Sequence, residues 1–214
     1  YYGGIKLDFT KILKEFPTIE TNKIRLRRLR LEDAPALMKY YSNENVYRNL
    51  DWNGPETLER SHEIINLWNK GYDEGWIIRL AIADKLSDEI IGTIFLSEFE
   101  GKRAEVGYEL SENYWRRGIM SEAIREVLLL GFSQLGLVRI QAFVSADNVA
   151  SKKILNKFNF KEEGFLIFAP CSEPAKITYF NTLAKKIMYK LKINCKYFSY
   201  LKIYNTKSKD SVFF

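Results

Sequence analysis

Ala104-Glu105-Val106-Gly107-Tyr108-Glu109-Leu110, then Ser111-Glu112-Asn113-Tyr114, then Trp115-Arg116-Arg117-Gly118-Ile119-Met120-Ser121-Glu122-Ala123, joins a strand, a short basic loop with a central glycine, and the start of a helix. The first N–H groups of a helix have no intrahelical acceptor, and with the helix dipole they attract phosphate oxygens. Gly118 lets the main chain of Ile119, Met120 and Ser121 come close to such a ligand, and Arg116 and Arg117 add positive charge. The loop therefore suits a diphosphate. Taken alone, the same residues also read as an ordinary helix start beside a solvated arginine pair.

Upstream, Trp76 to Ala83, Ile90 to Phe99 and Arg103 to Leu110 read as three strands, and 85–88 and 100–102 are short enough to be hairpin turns. Ile24 to Arg30 begins with the alternation of a half-buried strand. A helix follows it to about Tyr41, opened by acids and Pro35. A second helix spans Glu56 to Lys70, with Gly71 and Gly75 bracketing its end. Downstream of the loop, Ala123, Ile124, Val127, Leu128 and Leu135 keep helical spacing. Arg139 to Val144 is a strand, Asp147 or Asn148 caps a short helix ending near Phe158, and Phe160 opens another strand. Antiparallel hairpins followed by a strand–helix–strand unit predict a mixed α/β sheet covered by helices.

The chain has 214 residues and the apolar (46%) and charged (28%) shares of a soluble globular protein. This length fits one domain. The longest mid-chain apolar run, Val127 to Phe132, is far too short to span a bilayer, so no membrane role is expected. Tyr1-Tyr2-Gly3-Gly4 lacks the pattern of a signal peptide. Cys171, Cys195 and His62 make up the whole set of cysteines and histidines, which argues against a metal site and for a reducing cytoplasm. The net charge of +6 is concentrated in 166–214, where nine lysines stand against Glu173 and Asp210, a balance of +7. The remaining 24 basic and 25 acidic residues balance at −1. A solvated edge explains the lysines better than nucleic acid does, since scattered lysines also protect strand edges.

Downstream of the basic loop lies Asn148-Val149-Ala150-Ser151-Lys152-Lys153-Ile154-Leu155-Asn156-Lys157-Phe158-Asn159-Phe160. With this helix, the Ala-Glu-Val-Gly-Tyr strand and the Tyr-Trp-Arg-Arg-Gly loop in order, the chain resembles the GNAT superfamily of N-acetyltransferases, and within it the ribosomal-protein N-terminal (RimJ/RimL-like) type. The resemblance covers roughly 20–165. It departs from the pattern at Trp115, where Gln or Arg is usual, at Met120 for a small residue, at Asn159 for Gly, and at Leu155, where many members carry a tyrosine general acid.

The resemblance implies a GNAT-like fold: a central, mostly antiparallel twisted sheet with splayed strands and helices on both faces. It implies acetyl-CoA as co-substrate, gripped by Arg116, Arg117, Gly118, Ile119, Met120 and Ser121. The main chain of Tyr108, Glu109 and Leu110 would pair with the pantetheine arm and polarise the thioester carbonyl. Asn148 would bond the arm, and Ser151 would protonate the leaving thiolate. Met120 must then turn its side chain away from the phosphates. The amine acceptor must be neutral to attack, and an α-amine needs less help than a lysine. Glu105 is the candidate base; Glu109, on the same strand face, is the reserve. Glu44, Tyr47 and Trp52 are weaker candidates for shaping the acceptor site, whereas Trp68 and Trp76 read as anchors. The expected acceptor is a protein N-terminus. A small amine or antibiotic, or a non-catalytic acyl-CoA-binding module, are the alternatives.

The expected organisation is an N-terminal extension or remnant at 1–18, an acetyltransferase core at 19–165, and a basic, atypical closing segment at 166–214. Tyr189 to Tyr197 alternates with a period of two and resembles the family's closing hairpin, which leaves 165–187 in excess. Either the hairpin carries an insertion, or the end of the chain is unusual and its last strands pair elsewhere, for example in a homodimer; a displaced or poorly packed C-terminus is expected.

Overall fold

Short turns dictate how the middle of the chain pairs. The computed structural model describes residues 7–50, 52–168 and 175–183. Its elements are α1 (Phe9–Leu13), β1 (Ile19–Glu20), β2 (Ile24–Arg27), α2 (Ala34–Tyr41), α3 (Glu44–Tyr47), α4 (Leu58–Asp73), β3 (Ile77–Asp84), β4 (Ile90–Glu100), β5 (Arg103–Leu110), α5 (Ile119–Leu129), β6 (Arg139–Ser145), α6 (Val149–Lys157), β7 (Lys161–Phe168) and β8 (Ala175–Leu183). They form an eight-stranded open sheet in the order β1-β2-β3-β4-β5-β6-β8-β7, in which only β5 and β6 run parallel.

Two apolar layers cover the sheet. Even-numbered residues of β3 to β5, including Ile78, Leu80, Ile94, Leu96, Val106 and Leu110, join Ala123, Ile124 and Val127 of α5 and Leu155 of α6 in one buried cluster. Leu37 and Tyr41 of α2, and Ile64, Ile65 and Trp68 of α4, form the other with Ala81. Helix α4 starts where Thr57 accepts the N–H of Arg60 at 3.1 Å, the ordinary N-cap bond. It runs on to Asp73, so Gly71 lies inside it, against Trp76 and Ile77, rather than at its end.

Two expectations about the chain ends change. From Leu7 on, the supposed extension packs into the domain: the N–H of Leu7 bonds the carbonyl of Gly75 at 2.9 Å, and buried Phe9 lies against Tyr72 and Phe99. At the other end, β8 inserts between β6 and β7 and pairs antiparallel with both. Phe180 is buried there. Thus part of the segment expected to be in excess closes the sheet as a hairpin with β7. The alternating Tyr189 to Tyr197 lies outside the described residues.

Candidate active site

The sheet opens at its one parallel junction. Strand β5 pairs with β6 only where Arg103, Ala104 and Glu105 face Arg139, Ile140 and Gln141. It stays paired with β4 as far as Leu110. Beyond Glu105 a gap therefore widens between β5 and β6. The Ser111 N–H bonds the Ile91 carbonyl at 2.7 Å, toward β4. Successive main-chain groups of a strand point to opposite sides, so the amides of Val106, Tyr108 and Leu110 point into the gap. Glu109, expected to contribute its main chain with Tyr108 and Leu110, directs its amide to β4 instead. The Leu110 carbonyl accepts the Trp115 indole N–H at 2.8 Å. A cleft of about 950 Å³ fills the gap, walled by Glu105 to Glu109 and by Ala142 to Asn148, with Ser151 on its rim.

Helix α5 starts with Gly118 at φ 79°, a conformation that side chains rarely adopt. The Glu122 N–H bonds the Gly118 carbonyl at 3.1 Å, so the amides ahead of it in the first turn have no intrahelical acceptor. Gly118 has no side chain with which to cap them. A Cβ there would meet only the Lys23 ammonium, at 3.5 Å, which leaves the turn open. Met120 and Ile119 are buried in the core, so the thioether does not cover the turn. Lys23 was not legible as a site residue. Its ammonium donates to the Arg117 carbonyl at 2.7 Å and lies 3.8 Å from the Glu122 carboxylate. The Thr21 hydroxyl also donates to Glu122, at 2.7 Å, so the turn between β1 and β2 braces the loop. With Arg116 and Arg117, Lys23 is a third cation at this helix start.

The two carboxylates of β5 share a face but have different surroundings. Glu109 is buried and accepts from the Thr93 and Tyr40 hydroxyls, with the Arg79 guanidinium 3.5 Å away. Arg79 lies between the rings of Trp68 and Phe95, at 4.0 and 4.1 Å from their centroids. Burial, then the Glu109 charge, pushes the phenols of Tyr40 and Tyr41 well up. Glu109 is thus part of a packed polar network at the cleft floor, which argues against its role as reserve base. Glu105 is half-buried and stands on the cleft wall. Between them, any Cβ at Gly107 would strike the Phe95 ring, at 2.2 Å. Trp52 lines the cleft and packs on Tyr41 and Trp68. Glu44 and Tyr47 lie in α3 but are not cleft-lining residues, and Trp76 sits at the far end of α4.

Across the gap, the Asn148 side-chain oxygen accepts the Ser151 N–H at 3.0 Å and caps α6. That oxygen is occupied, leaving the amide nitrogen to donate. Leu155 is fully buried in the core. Tyr108 packs against the same core and also lines the cleft. Burial pushes its phenol up to about 12, with Ser151 pulling slightly the other way.

A sheet parted beside an open helix start can admit an extended, phosphate-bearing ligand, as an acyl-group transferase requires. Residues 23–161 match the acetyltransferase (GNAT) domain. The chain is 39% identical over 153 residues to the N-acetyltransferase YoaA of Bacillus subtilis (strain 168), covering 71% of this chain and 86% of that protein. It is 36% identical over 151 residues to the N-acetyltransferase p20 of Bacillus licheniformis, covering 70% and 85%. Its fold is similar to RimL, the ribosomal L7/L12 alpha-N-protein acetyltransferase, in its complex with coenzyme A, with a TM-score of 0.69, 20% identity, and coverage of 78% and 98%. The chain belongs to the GNAT acetyltransferase family and is an N-acetyltransferase; members of this family use acetyl-CoA. Among the described residues no helix is long and apolar enough to cross a membrane.

Proposed function

We propose that this chain transfers acetyl from acetyl-CoA directly to a protein N-terminal α-amine. The observation that carries the reading is the parted β5–β6 junction, which opens between Glu105 on one face of β5 and Ser151 across the gap. The open amides at Ile119, Met120 and Ser121 hold the diphosphate, with Gly118 giving access and Arg116, Arg117 and Lys23 adding charge. The Asn148 side-chain amide donates to the pantetheine arm. The amides of Tyr108 and Leu110, fixed in the strand before the reaction begins, donate to the thioester oxygen as it gains charge.

Glu105, directly or through one water, takes the proton that the amine loses on attack. Ser151 gives its hydroxyl proton to the departing sulfur and recovers one from water. The N–C bond forms as the C–S bond breaks, and no covalent enzyme species is needed. At pH 7.4 about a fifth to a third of an α-amine is neutral, against about 0.1% of a lysine, so one carboxylate suffices for the former. RimL, a ribosomal L7/L12 alpha-N-protein acetyltransferase of similar fold, supports the same acceptor class.

The test is CoA-thiol release with N-terminal peptides, the same peptides with blocked α-amines, and small amines. Turnover confined to free α-amine peptides is expected. Equal or better turnover on small amines overturns the acceptor. Tight acetyl-CoA binding with no turnover on any amine indicates a binding module instead.

A further inference from the structure

The steps above use the main chain of Tyr108 and leave its side chain without a task. Its hydroxyl is buried and finds no hydrogen-bond partner among the described residues. Leaving a buried O–H unpaired is destabilising, and a phenylalanine would fill the same space without that cost. Even-numbered residues of β5 face the layer that holds α5 and α6, so the Tyr108 ring lies on the α6 side of the sheet, against the cluster that contains Leu155. Ser151, in the first turn of α6, shares the cleft with it. The main chain of Ser151 is pinned by Asn148, which fixes where the side chain starts but not where its O–H points.

We propose that Tyr108 is a positioning residue: its phenolic O–H donates to the Ser151 hydroxyl oxygen when acetyl-CoA is bound, turning the Ser151 O–H toward the thioester sulfur. The inference rests on the reading of Ser151 as donor to that sulfur. No proton leaves Tyr108. The proton that reaches sulfur comes from Ser151, and water replaces it. Burial keeps the phenol protonated throughout the neutral range, since it is pushed up to about 12, so it remains a donor wherever the enzyme works.

Tyr108→Phe keeps the ring and removes one oxygen. We expect kcat to fall about tenfold, the worth of one neutral hydrogen bond, with KM and Kd for acetyl-CoA within about twofold of the parent. The melting temperature should hold or rise, because an unpaired group has gone. Tyr108→Phe combined with Ser151→Ala should be no slower than Ser151→Ala alone, since the phenol acts only through the serine. Parental kcat in Tyr108→Phe beside a slow Ser151→Ala overturns this inference and leaves the serine's role intact. Losses that multiply in the double variant also overturn it. Parental turnover in Ser151→Ala overturns the serine's role and this inference with it.

Discussion

Replacing Gly118 tests the diphosphate turn, provided backbone strain is separated from charge. The residue sits at φ 79°, and left-handed backbone costs most L-residues about 1–2 kcal/mol. Asn and Asp tolerate that region better than Ala does. The Cβ itself has room, its nearest neighbour being the Lys23 ammonium at 3.5 Å. Gly118→Asn and Gly118→Asp should therefore fold with similar, modest losses, and differ in one charge. A carboxylate ~5 Å from one phosphate charge, at an effective dielectric constant of about 20, is repelled by about 3 kcal/mol. Lys23 returns part of this, and the second phosphate adds to it. A net of about 2–3 kcal/mol corresponds to a rise in Kd of about 30- to 150-fold for Asp over Asn. Titration calorimetry with acetyl-CoA at fixed ionic strength measures it, and the difference should shrink with added salt. Equal affinity of the two variants would show that no diphosphate sits at this turn.

Glu105→Gln should lower kcat by about 10²- to 10⁴-fold with little change in acetyl-CoA affinity; parental turnover would remove Glu105 as base. Phe9→Ala should cost about 3–5 kcal/mol in a urea titration, because the ring is buried between Tyr72 and Phe99; a loss under 1 kcal/mol would return the N-terminal segment to the status of an appendage. Arg27→Ala should cost about 3–5 kcal/mol, since Arg27 and Asp33 form a two-pronged pair at 2.8 Å with side chains only 4% and 8% exposed, and Asp33 would be left buried without it. Asp88 supplies a pH dependence. Burial raises its carboxyl, but the Arg27 and Arg30 guanidiniums outweigh this and hold it below the ordinary value. Its stabilisation is fully present above the unfolded value of about 3.9 and is lost as pH falls through the lower folded one, so Asp88→Asn should be weaker than the parent at pH 7 and converge with it as the pH falls through that lower value.

The strands were legible where a pleated, half-buried surface forces alternation: β5 begins and ends as expected, and the turns on either side of β4 are where the short polar breaks place them. The glycine-started helix was legible for the same local reason. Long-range events were not. The alternation of β5 continues unchanged past Glu105, so nothing in it marks where β6 parts from it. Helix α1 is too short to show a period, and its docking depends on Gly75 and Tyr72, more than sixty residues away. The closing strand was not legible, because the alternation of 189–197 is more regular than that of Ala175–Leu183. Lys23 lies far from the loop in sequence and reaches it only through the pairing of β2 with β3 and the packing of α5 on β2.

Glu105 and Glu109 show why residue type and strand face were not enough to assign roles. Both lie on the face toward α2 and α4, four residues apart. The register of β3, β4 and β5 sets Thr93 opposite Glu109 and Phe95 opposite both Arg79 and Gly107. A glycine at 107 admits the Phe95 ring, the ring and Trp68 hold Arg79 between them, and Arg79 lies beside Glu109. One missing side chain thus commits one carboxylate to a buried ion pair. Glu105, four residues earlier on the same face, lies outside this ion pair and on the cleft wall, where the proposed reaction uses it.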